Sequence, residues 1–222
     1  MEHWIDNVCY QEATFIKEEI TRFVGRILLN NNEERCYIPF SSKLSKHIPV
    51  ENRTILVKEC ETKSGLKYEL FAIKVDHNWH LIDLRKINKL VHSELILNNS
   101  EVIAETTMQK GYRADFSDQA NVWEVKALLS QSNTIEYPAM KLDRANKQLE
   151  SLLKLQADHW NIKLLFVLLN PNIETLTINK KHKIFHEHFE KLTQQGMEVL
   201  FFKLFLENTV IRLEKTTVIL YC

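Results

Sequence analysis

The stretch that decides the fold reads Gly111-Tyr-Arg-Ala-Asp115-Phe-Ser-Asp-Gln-Ala-Asn-Val-Trp-Glu124-Val-Lys126. Tyr112 to Phe116 and Asn121 to Leu129 have strand composition, and Ser117-Asp118-Gln119 between them is turn chemistry, so two neighbouring strands are predicted. Side chains two apart on a strand share a face, which points Glu124 and Lys126 the same way, with Asp115 closing the strand before. Their neighbours Val122, Trp123, Val125, Ala127 and Leu128 are apolar. An acid and a lysine are costly in such surroundings unless they hold a metal or each other. Two readings stay open at this level. Asp115 and Glu124 bind Mg²⁺, which activates a water and neutralises a phosphate while Lys126 orients that water; or the segment is a surface hairpin with a salt bridge from Lys126 to either acid.

Outward from this segment the periodicity changes. Ile87, Leu90, Val91, Glu94 and Leu95 fall at helical spacings from Arg85 until Asn98-Asn99-Ser100, and Val102 to Thr107 follows as a strand. Downstream, Leu142, Ala145, Leu149, Leu152, Leu153 and Leu155 line one side of a helix predicted from Met140 to His159. A strand over Lys163 to Asn170, a helix over Lys181 to Gln195 stopped by Gly196, and strands over Glu198 to Glu207 and Val210 to Leu213 complete an α-β-β-β-α-β-α-β order. Upstream, Thr21 to Leu29 and Arg35 to Phe40 flank the break Asn30-Asn31-Asn32-Glu33, and Thr54 to Cys60 and Leu66 to Val75 flank Thr62 to Gly65. These four strands predict a small antiparallel barrel or sheet. The chain therefore divides into a β domain over 1–84 and an α/β domain over 85–222, α+β overall. The first dozen residues carry no motif and are expected as a helix or as chain without fixed structure.

Composition narrows the function classes. With 222 residues and 45% hydrophobic side chains the chain can bury a full core, which excludes disordered and disulfide-stapled classes. Lys+Arg and Asp+Glu both total 29, so there is no global field to draw in nucleic acid, and any such partner needs a local patch. Cys9, Cys36, Cys60 and Cys222 show no paired spacing, which fits a reduced, cytoplasmic protein. No apolar run approaches the roughly 20 residues of a membrane helix.

Strand, turn and strand followed by a long helix resembles the αβββαβ order of PD-(D/E)xK nucleases, in which a Glu of the preceding helix often joins the metal. Glu94 is placed to do so. More specifically, the chain resembles the SfsA (sugar fermentation stimulation protein A) family over about Glu18 to Leu213. The matches are Arg22-Phe23, Asn88 to Glu94, Tyr112-Arg-Ala-Asp115-Phe, Glu124-Val-Lys126, Tyr137-Pro138 and Arg144-Ala-Asn-Lys147-Gln-Leu149. That resemblance implies an N-terminal OB-like barrel and a PD-(D/E)xK domain. It also implies a Mg²⁺- or Mn²⁺-dependent nuclease on DNA, with RNA as a further substrate. Asp115, Glu124 and Lys126 would be catalytic, and Glu94, Asp115 and Glu124 would be the metal ligands. The chain departs from the family at Pro39-Phe-Ser-Ser-Lys-Leu44, and in having Ala139 where an acid is usual and Ala145 where glycine is usual. Alternative readings are a non-catalytic DNA-binding regulator of sugar-utilisation genes, and a nuclease subunit active only within a larger repair or mobile-element assembly, so a protein partner or a homo-oligomer is open.

Arg144, Lys147 and Gln148 fall on one turn of the predicted helix, where they would reach substrate phosphates, or else form an ordinary solvated face. Arg113, beside Asp115, joins them as a nucleic-acid contact. In the barrel, Arg22, Arg26 and Lys43 alternate with Phe23, Tyr37 and Phe40, as a strand-binding OB face requires; core filling is the competing reading, favoured for Phe23. His182, His186 and His188 are read as helix-surface histidines rather than a zinc site.

Overall fold

The computed structural model describes residues 2–4, 9–21, 23–40, 43–61, 65–109, 111–139, 143–207 and 210–222. Arg22, one of the predicted nucleic-acid contacts, lies outside them. A short strand, β1 (Glu2–Trp4), precedes the barrel strands β2 (Tyr10–Glu18), β3 (Val24–Leu29), β4 (Asn32–Tyr37), β5 (Thr54–Glu59) and β6 (Tyr68–Val75), and β7 (Asn78–Leu81) adds to the edge of β6. Spatial order is β4-β3-β2-β5-β6, and a two-residue parallel seam, Cys36 with Tyr68 and Tyr37 with Glu69, closes the ring. A closed five-stranded barrel of this kind is OB-like. Alternate residues fill it: Phe15, Ile27, Ile55, Val57, Leu70 and Ile73 are buried. Gly25 is needed there, because a Cβ would sit 2.9 Å from Phe15 and 3.1 Å from Ile38.

Helix α1 (Leu84–Asn98) begins at Asp83, whose carboxylate caps it by accepting the Arg85 N–H, and buries Ile87, Leu90 and Val91. The chain then runs through β8 (Ile103–Ala104), β9 (Thr107–Gln109), β10 (Tyr112–Arg113), β11 (Phe116–Ser117), β12 (Asn121–Leu128) and β13 (Thr134–Tyr137) to α2 (Asp143–Ala157). It continues through β14 (Asn161–Leu168), β15 (Thr175–Ile178), α3 (Lys183–Gln194), β16 (Glu198–Glu207), β17 (Val210–Thr216) and β18 (Ile219–Tyr221). One mixed sheet has the order β1-β17-β16-β14-β12-β11-β8, with β12, β14 and β16 mutually parallel. Trp123, Val125, Leu165 and Val167 pack toward α1 and the barrel, while Val122, Leu128, Leu164 and Phe166 pack toward α2 and α3. The result is the expected mixed α/β architecture with an OB-like barrel ahead of it. Among the described residues no helix is long and apolar enough to cross a membrane.

Several elements differ from the sequence reading. The first residues are neither helical nor without structure where described: β1 pairs with Val210–Arg212, and β2 starts at Tyr10. The strand expected from Thr21 starts only at Val24, with Phe23 in a turn at φ 72°. Tyr112 to Phe116 is two strands: β10 pairs with β9 in a separate ribbon, and β11 joins the main sheet. The crossing falls at Ala114-Asp115, where Ala114 N–H bonds to the Thr106 carbonyl and the Asp115 carboxylate accepts the Val125 N–H at 2.8 Å. A side chain there replaces a ladder carbonyl, and the backbone turns away. Val102 to Thr107 breaks likewise, with Glu105 at φ 56°. The parallel sheet β13-β15-β18 is additional.

Candidate active site

Strand β12 is interior to the main sheet, flanked by β14 and β11, which overturns the surface placement of the hairpin reading, while the salt bridge that reading expected, Lys126 to Glu124, is present. Glu124 is only 3% exposed on its α2-facing side, so each of its oxygens needs a donor. They have them. Oε1 accepts Lys126 Nζ and the Gln148 amide at 2.8 Å, and Oε2 accepts the Tyr112 hydroxyl at 2.9 Å. Lys126 also donates to Gln148 Oε1 at 3.0 Å, so α2 and β12 are tied through one three-membered knot. Burial works against the Lys126 ammonium, but Glu124, with Tyr137 and Asp115, holds its pKa above the ordinary lysine value. Lys126 is therefore a fixed cation.

Asp115 is in a different state. Burial, and next the nearby Glu124 carboxylate, push its pKa up to about 6, against the Val125 N–H, Lys126 and Arg144, which work to lower it. Burial and Glu124 likewise raise the Tyr112 hydroxyl, and burial raises Tyr137, which Lys126 opposes. The local charge is thus two carboxylates against one lysine, with Arg144 contributing from α2.

A divalent cation would relieve the mutual repulsion of Asp115 and Glu124, and two carboxylates completed by water are a sufficient hard-oxygen set for Mg²⁺. The donor chemistry fits. Glu94 is not gathered with them: among the described residues no three His, Cys, Asp or Glu side chains lie close enough to hold one ion. Its Oε2 is nevertheless buried without a hydrogen-bond partner.

Of the expected nucleic-acid contacts, Gln148 is inside the knot, Arg144 is at its rim and Lys147 is exposed on the same helix. Arg113 turns to Glu105 instead, bonding its carbonyl at 2.9 Å and pairing with its carboxylate. In the barrel, Arg26 is ion-paired with Glu19 at 3.1 Å and Glu33 at 2.6 Å, and Lys43 is exposed just before a short 3₁₀ turn, Leu44–Lys46. Phe40 is core, whereas Phe23, for which core filling was favoured, is 37% exposed. The sequence pattern gives Tyr112 and Tyr137 no site role of their own. Both stand in the stretches quoted above, and a buried tyrosine hydroxyl calls for a partner, but the partner is visible only in three dimensions.

A family model described as the sugar fermentation stimulation protein RE domain matches residues 82–209, which is more than half of the chain. The chain belongs to the SfsA family. Similar proteins include the sugar fermentation stimulation protein homologue of Thermosipho melanesiensis, 25% identical over 80% of this chain and 82% of the relative. That of Aquifex aeolicus is 28% identical over 86% of this chain and 89% of the relative. The SfsA structure of Pyrococcus furiosus, solved in complex with Ca²⁺, superposes with a TM-score of 0.82 at 18% identity, covering 100% of both chains. The SfsA fold is thus common to both proteins along their whole length.

Proposed function

We propose that this SfsA chain is a divalent-metal-dependent nuclease that hydrolyses phosphodiester bonds in DNA, with RNA as a further substrate. The observation that carries the reading is the charge imbalance beside β12: buried Glu124 and half-buried Asp115 share one lysine, locked to Glu124, with Arg144 contributing from the rim. Asp115 and Glu124 would hold the metal. A bound Mg²⁺ or Mn²⁺ would lower the pKa of a water and neutralise the scissile phosphate. The Ca²⁺ recorded with the Pyrococcus furiosus relative supports a hard cation in this fold.

Lys126 is protonated before substrate arrives, so it is suited to orient a water and to stabilise developing negative charge, rather than to take a proton. Gln148 and Tyr112 fix Glu124 by donating to it, and Lys126 is held in turn by donating to Glu124 and Gln148. Arg144, at the rim, would contact a substrate phosphate. Lys147, exposed on the same helix, would contact another.

The test is cleavage of labelled single- and double-stranded DNA and RNA with Mg²⁺, Mn²⁺ or EDTA, for wild type, Asp115→Ala and Lys126→Ala. Metal-dependent cutting lost in both variants is the expected result. Cutting that persists in them would reject the site, and binding without cutting under every metal would favour the non-catalytic regulator.

A further inference from the structure

The α/β domain carries a charged surface that the β12 chemistry does not use. Lys180-Lys181-His182-Lys183 puts three lysines in four positions, a density of cations that no other stretch of the chain reaches. All three lysines are exposed. The run leads from β15 into α3, and buried Asn179 fixes where it leaves the sheet. The Asn179 side-chain oxygen accepts the Lys181 N–H at 3.0 Å, and its amide donates to Glu136 at 3.1 Å. Among the described residues neither Lys180 nor Lys181 is ion-paired with a carboxylate, and Lys183 has only Glu187, 3.8 Å away.

The packing of α2 and α3 brings this run close to the β12 site. The two helices run parallel: near the end of α2, Gln156 donates to the carbonyls of Leu192 and Gln195 at the end of α3, at 3.3 Å and 3.0 Å. At the opposite end Tyr137, a neighbour of Lys126, meets Phe185 in the first turn of α3, edge-on with ring centres 5.5 Å apart. The beginning of α3 therefore lies beside the beginning of α2, where Arg144 and Lys147 stand exposed. Both helices turn their positive ends the same way. At the head of α3, His182 occupies the cap position and its side chain makes no capping hydrogen bond. The first-turn N–H groups of α3 are left for an outside acceptor.

What this surface can hold follows from its charge. Arg144, Lys147, Lys180, Lys181 and Lys183 outnumber the acids beside them, Glu136, Asp143 and Glu187, in a chain whose basic and acidic residues are otherwise equal in number. Lysine ammonium groups on flexible stems are point charges, and they grip backbone phosphates whatever base each phosphate carries. We propose that Lys180, Lys181 and Lys183, with the opening turn of α3, bind backbone phosphates of the substrate beside the β12 site. This ledge takes its substrate from the nuclease reading and continues the line begun by Arg144 and Lys147. Tyr137 and Phe185 stand between it and Lys126, so the phosphates it takes are neighbours of the scissile one and not that phosphate itself.

The test is binding in EDTA, where nothing is cut: fluorescence anisotropy of a labelled DNA duplex and a labelled single strand over a range of salt. The proteins are wild type, Lys180→Ala/Lys181→Ala, Lys180→Arg/Lys181→Arg, and the control Lys154→Ala/Lys191→Ala. The control removes two exposed lysines from the opposite ends of the same two helices. On each probe that wild type binds, the Lys180/Lys181 alanine variant loses about tenfold in affinity. Its slope of log affinity on log salt falls by about 1.8 on duplex or about 1.4 on single strand, the share of two phosphate contacts. The arginine variant and the control bind like wild type, and thermal unfolding checks that all four proteins are folded. An alanine variant with wild-type affinity and slope, a control that weakens binding as much, or no binding of either probe by wild type would each overturn the ledge. Lysine-dependent binding without cleavage in any metal would reject the nuclease reading and leave the ledge standing.

Discussion

Two acid pairs in this protein differ in the number of cations they meet. At the barrel seam, Glu69 and Asp83 meet two cations, Lys58 and Arg85, and although burial alone would raise it, Asp83 is held below the ordinary aspartate range. Beside β12, Asp115 and Glu124 meet one lysine, with Arg144 contributing from α2, and Asp115 is pushed up to about 6. Asp83 is the more buried of the two aspartates and yet is the one held low, so the difference lies in the count of charges. The seam is a closed account electrostatically and builds structure: it caps α1 and fixes Arg85. The pair beside β12 has Lys126 in contact and Arg144 only at the rim, and Asp115 stays raised, which leaves room for a further positive charge.

The largest expected effect is at Lys126. Lys126→Ala leaves Glu124 buried with only neutral donors, and should cost about 3 kcal/mol of stability in urea unfolding. The same substitution should lower cleavage by about 100-fold or more, as loss of a fixed charge at the reacting centre does. At the seam the two effects separate. Lys58→Met should lose about 2 kcal/mol, because Glu69 and Asp83 then share Arg85 alone, while the cleavage rate of the remaining folded protein is unchanged. A Lys58→Met protein that folds normally but no longer cuts would break the contrast between the two pairs.

Protonation sharpens it. A carboxyl whose pKa rises from 3.8 unfolded to about 6 folded contributes stability below the unfolded value that is lost as pH rises through the folded one. Metal-free wild type should therefore lose stability at Asp115 between about pH 4 and pH 7, by about 2 kcal/mol, and Asp115→Asn should not. Buried His80 acts in the opposite sense. Burial lowers its pKa to about 4, so its stabilisation is present above 6.5 and is lost as pH falls. The difference between wild type and Asp115→Asn, measured by urea unfolding in EDTA, cancels His80 and isolates Asp115; a flat difference would contradict the stated environment. The smallest effect is at the rim. Arg144→Ala should raise KM by about tenfold or less and reduce the salt slope of binding by about one, with kcat nearly unchanged.

Much of this was legible in the sequence. The period of two places Glu124 with Lys126, and the helical spacing of Leu149 and Leu152 brings Gln148 over the same face. The strands of the barrel, apart from β2, follow from their apolar runs and turn residues. What was not legible depends on distant partners. β13, β15 and β18 are strands of four residues or fewer whose mates lie tens of residues away, and β1 is ordered by pairing with β17. The break at Ala114-Asp115 arises because a carboxylate takes the place of a backbone acceptor, which no local propensity records. Arg113 illustrates the same limit: its sequence position suggested substrate, while its partner, Glu105, comes from a neighbouring turn.

Binding of Mn²⁺ to the purified chain, followed by isothermal titration calorimetry at neutral pH for wild type and Asp115→Asn, tests the charge-deficient pair most directly. The account predicts saturable binding in wild type that Asp115→Asn abolishes while its fold is retained. Equal Mn²⁺ binding by both proteins, or none by wild type, would contradict it.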